Sequence, residues 1–399
     1  MSDTILVLNC GSSSIKFALF DACVDVLPRE PLWSGQIEGI GSDTARLLAR
    51  DAAPVRLSLD PERPYRDALQ CVRAYVERRT GPQLPAAVAH RVVHGGTRYT
   101  APVRLDRAVL EDLRGYIPLA PLHQPFALQA IGILLADAPE LPQVACFDTA
   151  FHRTLPEVEQ MLPLPREFSE RGIRRYGFHG LSYEYMATAL PQRHGKVAEG
   201  RTIVAHLGSG ASLCAMRGLS SVATTMGFSA LEGLMMGTRS GSIDAGVLLH
   251  LLQIEKMGVE QLARLLYRES GLLGVSGASA SPKQLLAIED SDEDARAALA
   301  LYVRRIVRET GALAAVLGGL DMLAFTAGVG ENSAVLRARI CDALRGFGVE
   351  LDAGANEAHA ATISSPRSSV RVVVEPTNEE WVAASHALAL VRRPAHCTP

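Results

Sequence analysis

The chain has 399 residues, enough for two domains of ordinary size, and its 48% hydrophobic and 21% charged content is that of a packed globular protein. A net charge of −3 gives no reason to expect nucleic acid or an anionic membrane as partner, and no window reaches the unbroken apolar length of a spanning helix. The seven cysteines are scattered, with no C-x-x-C pair, and the N-terminus runs into a strand with no leader pattern, so reduced thiols and a cytoplasmic location are expected.

The first stretch, Thr4 to Phe20, reads as strand, tight turn, strand. Ile5 to Leu8 and Ile15 to Phe20 are short apolar runs, and Asn9-Cys-Gly-Ser-Ser-Ser14 lies between them. Glycine followed by serines turns the chain and presents N–H and hydroxyl donors to an anion. Lys16 adds a cation, and Asn9 an amide oxygen able to reach a hydrated Mg²⁺. Half a chain later, Ile203 to Met216 lays on the same pattern without a gap, Asn9 falling on His206, Gly11 on Gly208 and Ser12 on Ser209. A repeat at that offset predicts a duplicated domain with ligand phosphates held between the copies.

Between the two hairpins, Asp21 to about Val55 reads as further strands and turns, and Tyr65 to Arg78 as an amphipathic helix. Ala86 to His90 is a buried strand whose tip, Arg91-Val-Val-His-Gly-Gly96, turns on glycine, and strand ends of an open α/β sheet are where ligands sit. Gln143 to Phe147 is another buried strand with Asp148 at its end, capping the turn or holding water or Mg²⁺. Leu155 to Pro165 carries prolines and little periodicity, and is read as the crossing between halves.

Past it, a helix is expected from Ser182. The glycine-rich Thr225 to Asp244 reads as a loop lining a ligand, Gly271 to Gly277 as a turn, and Glu289 to Leu317 as a long helix. Met322 to Thr326 is a strand followed by Gly328-Val-Gly-Glu-Asn332 and a helix from Ser333, an anion or nucleotide site at a helix N-terminus. Thr377-Asn-Glu-Glu380 has capping-box spacing before the last helix.

Arg91 and Arg239, both beside glycines, are the candidate anion clamps, because a guanidinium matches carboxylate and phosphoryl oxygens bidentately. His179 can donate to a phosphoryl oxygen, and Glu379 lies in a helix first turn, where the macrodipole favours an acid. There is no Walker A lysine, no protein-kinase H-R-D or D-F-G, no zinc spacing and no G-x-S-x-G elbow.

Together these motifs resemble the acetate kinase family, in the superfamily of acetate and sugar kinases, Hsp70 and actin. The resemblance runs nearly end to end. It is carried by Leu8 to Lys16, Ala89 to Gly96, Phe147 to His152, Arg175 to Gly180, His206 to Gly210, Met236 to Gly241, Gly328 to Asn332 and Thr377 to Glu380, in family order.

The resemblance implies an α/β fold of two duplicated ribonuclease-H-like, actin-like ATPase domains with a cleft between them. They would be 1–150, with a terminal helix 378–395 packed back on it, and a nucleotide-binding 151–377. It implies direct in-line transfer from ATP to acetate, giving acetyl phosphate and ADP, with Mg²⁺ (Mn²⁺ possible), in a cytoplasmic homodimer. Asn9 and Glu379 would place the metal. Arg91 and Arg239 would hold acetate and the moving phosphoryl group, Asp148 would orient them, and His179 would steady the equatorial oxygens. Val93, Leu122 and Phe178 would form the methyl pocket. Lys16, His206, Leu207, Gly208, Ser209 and Gly210 would line the nucleotide, with Gly328, Val329, Gly330, Glu331 and Asn332.

Four departures from the family pattern are visible. Ser209 stands where the family usually has Asn, Ser229-Ala230 where it has Thr-Pro, Ser242 and Ala245 where it has Asp and Pro, and Ser281-Pro282-Lys283 where Asp-x-Arg touches the adenosine. The smaller Ala230 makes propionate the alternative substrate. The 281–283 change leaves the donor open among ATP, other nucleotides and pyrophosphate. A paralogue that binds nucleotide without turnover is the lesser alternative.

Overall fold

A computed structural model describes residues 2–23, 26–50, 52–121 and 123–392, so Leu122, Cys397 and the last three positions of the expected terminal helix lie outside the described residues. The chain divides into two units, residues up to 150 with the helix Glu379–Arg392, and residues 151–377.

The first unit holds β1 (Ser2–Cys10), β2 (Ser14–Asp21), β3 (Trp33–Glu38), β4 (Arg46–Ala49), β5 (Ala52–Arg56), β6 (Pro85–Val92), β7 (Val103–Arg104) and β8 (Gln143–Phe147), in the order β5-β4-β3-β2-β1-β6-β8-β7. β1 to β5 pair antiparallel in succession, and β1, β6 and β8 run parallel. The second unit holds β9 (Thr202–Leu207), β10 (Ala211–Arg217), β11 (Ser220–Thr224), β12 (Met322–Thr326) and β13 (Arg371–Val374), in the order β11-β10-β9-β12-β13. Here β9, β10 and β11 pair antiparallel, and β9, β12 and β13 run parallel. The β3-β2-β1-β6-β8 core of the first sheet thus repeats strand for strand in the second, which is the expected duplication.

The gapless overlay of the two hairpins does not hold. Cys10 pairs with Ile15 around Gly11–Ser14, closed by Gly11 N donating to Ser14 O at 2.8 Å. Leu207 pairs with Ala211 around Gly208–Gly210, one residue fewer, closed by Gly208 N donating to Gly210 O at 3.0 Å. Asn9 and His206 keep equivalent places on the first strand. On the second, the partner of Asn9 is Lys16 and that of His206 is Ser212, so equivalence shifts by one residue after the turn.

Helix Pro64–Thr80 lays Leu69, Val72, Tyr75 and Val76 on Leu6, Leu8, Ile15 and Phe17, and burying each Leu or Val contributes roughly 1.5–3 kcal/mol. The terminal helix packs on β1, β2, β6 and β8. It is tied down by Trp381 Nε1 donating to Leu27 O (3.1 Å) and Asn378 Nδ2 donating to Arg29 O (2.7 Å). In the second unit, helix Glu293–Leu317, capped by Asp292 and ended by left-handed Gly318, lies along β9, β10 and β11.

Several elements differ from expectation. Gly271–Ser276 is a short helix rather than a turn, its N–H groups at Leu272 and Leu273 docked on the carbonyls of Met236 and Gly237. The long helix starts at Glu293 rather than Glu289, because Asp292 accepts from Ala295 N. The last helix is capped by Asn378, whose Oδ1 accepts from Trp381 N at 3.0 Å, so Thr377 is not the capping residue. Of the described cysteines, Cys10, Cys146, Cys214 and Cys341 are buried thiols, and burial pushes those of Cys10, Cys214 and Cys341 up to about 12. No described helix is long and apolar enough to cross a membrane.

Candidate active site

In the first unit the candidate residues gather at the ends of β6 and β8. Arg91 and Cys146 are register partners, so Arg91 stands beside Asp148, the residue after β8. Arg91 Nε donates to Asp148 Oδ1 at 2.9 Å and Nη2 to Oδ2 at 2.7 Å, a fork on a carboxylate only 3% exposed. Arg91 Nη1 lies 3.2 Å from Glu379 Oε2, delivered by the first turn of the terminal helix. Arg91 is therefore held by two acids rather than standing open as a clamp. Burial works against its charge, but Asp148 and then Glu379 outweigh it and raise the guanidinium's pKa.

The neighbouring Glu380 is pushed up from the usual carboxylate range, first by burial and then by the charge of Glu379, while Lys16 and Arg91 pull the other way. Lys16 is exposed on β2 opposite half-buried Asn9. The turn after Arg91 is rigid for structural reasons. His94 Nδ1 accepts from Gly96 N at 2.9 Å, Gln124 brackets the His94 backbone, and a Cβ on Gly95 would stand 2.2 Å from Tyr99 O. Val93, half-buried, sits on that turn.

A divalent cation fits the oxygen donors of this end. Asn9 offers an amide oxygen and Glu379 and Glu380 offer carboxylates, of which Glu380 is raised by burial and then by the charge of Glu379. No group of three His, Cys, Asp or Glu among the described residues could hold a metal by itself.

In the second unit the candidate residues gather at the β9–β10 turn. His179 has left-handed backbone (φ 58°) where it enters helix Gly180–His194, which therefore starts before Ser182. Its ring stacks on that of His206, from β9, with centroids 4.1 Å apart and planes 17° from parallel. A Cβ on Gly210 would stand 3.4 Å from His179 Nε2 and 3.6 Å from either terminal nitrogen of Arg239, so both face one point above the turn. Arg239 Nη1 donates to Ala230 O at 2.9 Å. That acceptor is a main-chain carbonyl, which a proline would supply equally, so the Ala230 departure leaves the contact intact. The loop Thr225 to Asp244 has no helix or strand, and Arg175 braces it by donating to Thr224 O and Met226 O and pairing with Glu232 at 3.1 Å.

Gly328 to Asn332 are not a loop ahead of a helix. Ala327–Asn332 forms a six-residue helix of its own, entered through Ala327 at φ 63°, and Ser333 then caps the next helix. The Ala327 methyl would lie 3.7 Å from a Cβ on Gly208, so this corner meets the β9–β10 turn. Buried Arg337 fixes it by donating to Gly330 O and Glu331 O, both at 2.8 Å. Gly237 N donates to Ser209 O at 3.3 Å, and a Cβ there would stand 3.0 Å from Ala280 O, so the segment entering Ser281, Pro282 and exposed Lys283 borders the same turn. Phe178 is buried in this unit, its carbonyl accepting from His152 Nε2 at 2.9 Å.

Sequence reasoning missed Glu380, although it was quoted in a motif, and the hydroxyls of Ser182, Tyr183, Ser212 and Thr377 behind the stacked rings. Hydroxyls carry no spacing signal, and only the register of β9 with β10 brings Ser212 to His206.

Two sheets with one strand plan, with charged groups gathered at the strand ends of one and stacked imidazoles at those of the other, make a two-unit α/β protein of the kinase type. The model of the acetokinase family matches residues 4–385. Acetate kinase of Rhodopseudomonas palustris is 47% identical over 395 residues, which is 98% of this chain and 99% of that protein. The crystal structure of Porphyromonas gingivalis acetate kinase superposes with a TM-score of 0.87 at 35% identity, covering 98% of this chain and all of that one. A propionate kinase from Francisella tularensis superposes at 0.90 with 33% identity, covering 97% of this chain and 99% of that one. The chain belongs to the acetokinase family.

Proposed function

We propose that this chain catalyses ATP + acetate ⇌ ADP + acetyl phosphate. The observation that carries the reading is the end-to-end likeness to acetate kinase at 47% identity. The geometry agrees with it. Phosphoryl transfer asks the protein for position and fixed charge, and the strand-end clusters supply oriented charged groups and ring donors.

In the forward direction a carboxylate oxygen of acetate attacks the γ-phosphorus. The new P–O bond forms as the bond to the β-phosphate oxygen breaks, and that oxygen keeps the electron pair. Arg91, pre-aligned by Asp148 and Glu379, would receive the carboxylate or the transferring oxygens. His179 and Arg239 would face the equatorial oxygens as charge moves through them. Asn9 and Glu379 would hold Mg²⁺, which supplies charge neutralisation on the phosphates. Val93, Leu122 and Phe178 would contact the methyl group. Lys16, the residues 206–210 and 328–332, and Ser281 to Lys283 would line the nucleotide. A cytoplasmic homodimer belongs to the same reading.

Propionate is the second reading, favoured by Ala230 and by the likeness to a propionate kinase. One methylene discriminates only about 10 to 200-fold, so both acids are expected to react. The test is hydroxamate trapping of acyl phosphate from each acid with MgATP, MgGTP and Mg-pyrophosphate. Acetyl phosphate from acetate and MgATP is expected. Absence of acyl phosphate with every pair would remove the reading.

A further inference from the structure

Two hydroxyl relays run behind the stacked imidazoles, and neither has a part in the roles assigned above. Behind His206, Thr377 Oγ1 donates to Ser182 Oγ at 2.9 Å, and Ser182 Oγ lies 2.8 Å from His206 Nδ1. Behind His179, Tyr183 OH lies 2.5 Å from Ser212 Oγ, which lies 2.8 Å from His179 Nδ1. Ser182, Ser212 and Tyr183 are fully buried, so these protons are not shared with bulk water.

The direction of each relay decides a tautomer. A serine has one proton to give. With Thr377 donating to Ser182, the Ser182 proton is left to donate to His206 Nδ1. A phenol is more acidic than an alcohol and is the better donor, so Tyr183 gives to Ser212 and Ser212 gives to His179 Nδ1. A ring that accepts at Nδ1 carries its proton on Nε2. His179 Nε2 faces Gly210, and His206 Nε2 would be 3.8 Å from a Cβ on Gly208. The 4.1 Å stacking adds a second constraint, since two positive rings at that spacing repel.

We infer that Ser182, Thr377, Ser212 and Tyr183 are positioning residues that hold His206 and His179 as paired neutral Nε2–H donors toward the β9–β10 turn. The value of the arrangement is preorganisation. Two donors aimed in advance at oxygens that gain charge stabilise the transition state without reorganising during the step. Thr377 also ties this relay to the corner at Gly328, because its N–H donates to Glu331 Oε1 at 3.1 Å. The function of the tautomers rests on the proposed phosphoryl transfer; the tautomers themselves do not.

The test is ¹⁵N-histidine labelling of the full chain and long-range ¹H–¹⁵N correlation at neutral pH, with His179→Gln and His206→Gln for assignment. Both rings are expected to show a protonated Nε2 and an unprotonated Nδ1. Thr377→Val should shift His206 toward the Nδ1–H form and leave His179 alone, and Thr377→Ser should restore it. Ser212→Ala, with Tyr183→Phe as its partner variant, should move His179 alone. In turnover, Thr377→Val is expected to lower kcat on the order of tenfold with little change in the KM for acetate, and Thr377→Ser to recover it. An Nδ1–H tautomer in the unmodified protein, or an unmoved His206 signal in both Thr377→Val and Ser182→Ala, would overturn the inference. The spectra need no turnover, so a chain inactive on acetate would sink the functional reading while the tautomers were still decided.

Discussion

The two sheets share one strand plan and end in opposite chemistry. In the first unit the strand ends hold formal charge, Arg91 between Asp148 and Glu379, with Glu380 and Lys16 nearby. In the second, the equivalent place holds two stacked imidazoles backed by hydroxyls, with Arg239 the charged group facing the same turn. The single residue lost from the second turn is what allows this. It puts Ser212 opposite His206, where Lys16 stands opposite Asn9. Duplication supplied the frame twice, and a one-residue change of register re-aimed the side chains of the second copy.

The largest effects should come from breaking the charged end. Arg91→Ala is expected to cut kcat by about 10²–10³ and, by taking the guanidinium from a carboxylate only 3% exposed, to cost about 3 kcal/mol of stability. Arg239→Ala should show a similar kcat loss with a melting temperature close to that of the unmodified protein, since Arg239 is only partly buried and donates to a carbonyl and a thioether. Calorimetry alongside turnover separates the two arginines; equal destabilisation would erase the contrast.

Glycine substitutions sharpen the comparison at the next level. Gly95→Ala drives a Cβ to 2.2 Å from a main-chain oxygen and should destabilise the first unit by about 1–3 kcal/mol, read as a lower denaturant midpoint. Gly210→Ala meets only side-chain nitrogens at 3.4 Å and beyond, so it should fold normally and lose about tenfold in kcat/KM by crowding the space that His179 and Arg239 face.

A pH series leaves activity aside and tests what the units have in common. Each unit buries a histidine whose charged form burial disfavours, His90 on Gln143 in the first and His152 on Ser221 and Phe178 in the second, and burial lowers both to about 4 from 6.5. Between those values the unfolded chain binds a proton that the folded chain refuses. Stability is therefore intact above pH 6.5 and falls as pH drops toward 4, by up to ~3 kcal/mol per histidine. Urea midpoints across that range check it, and His152→Gln should flatten part of the slope.

The frame was legible in the sequence because buried parallel strands write themselves as short apolar runs ended by glycine, as at Ala86 to Gly96 and Met322 to Gly328. The candidate residues at strand ends followed from the same pattern. The rest depends on pairings across long sequence separations. That Arg91 is shared by Asp148 and Glu379 requires the terminal helix to return to the first sheet. The turn after His206 was misread because both hairpins show similar Gly/Ser residues, and only hydrogen bonding fixes where the ladder closes. Thr377 had the spacing of a cap, but Asn378 takes the cap and Thr377 turns to Ser182.

The most direct test of the central claim, that the charged end receives the acid and the imidazole end the moving phosphoryl group, is a crystal structure with ADP, Mg²⁺, acetate and a planar phosphate mimic. The account predicts the acetate carboxylate on Arg91 and the mimic's equatorial atoms on His179 Nε2 and Arg239. A mimic bound out of reach of both His179 and Arg239, or acetate held without Arg91, would contradict it.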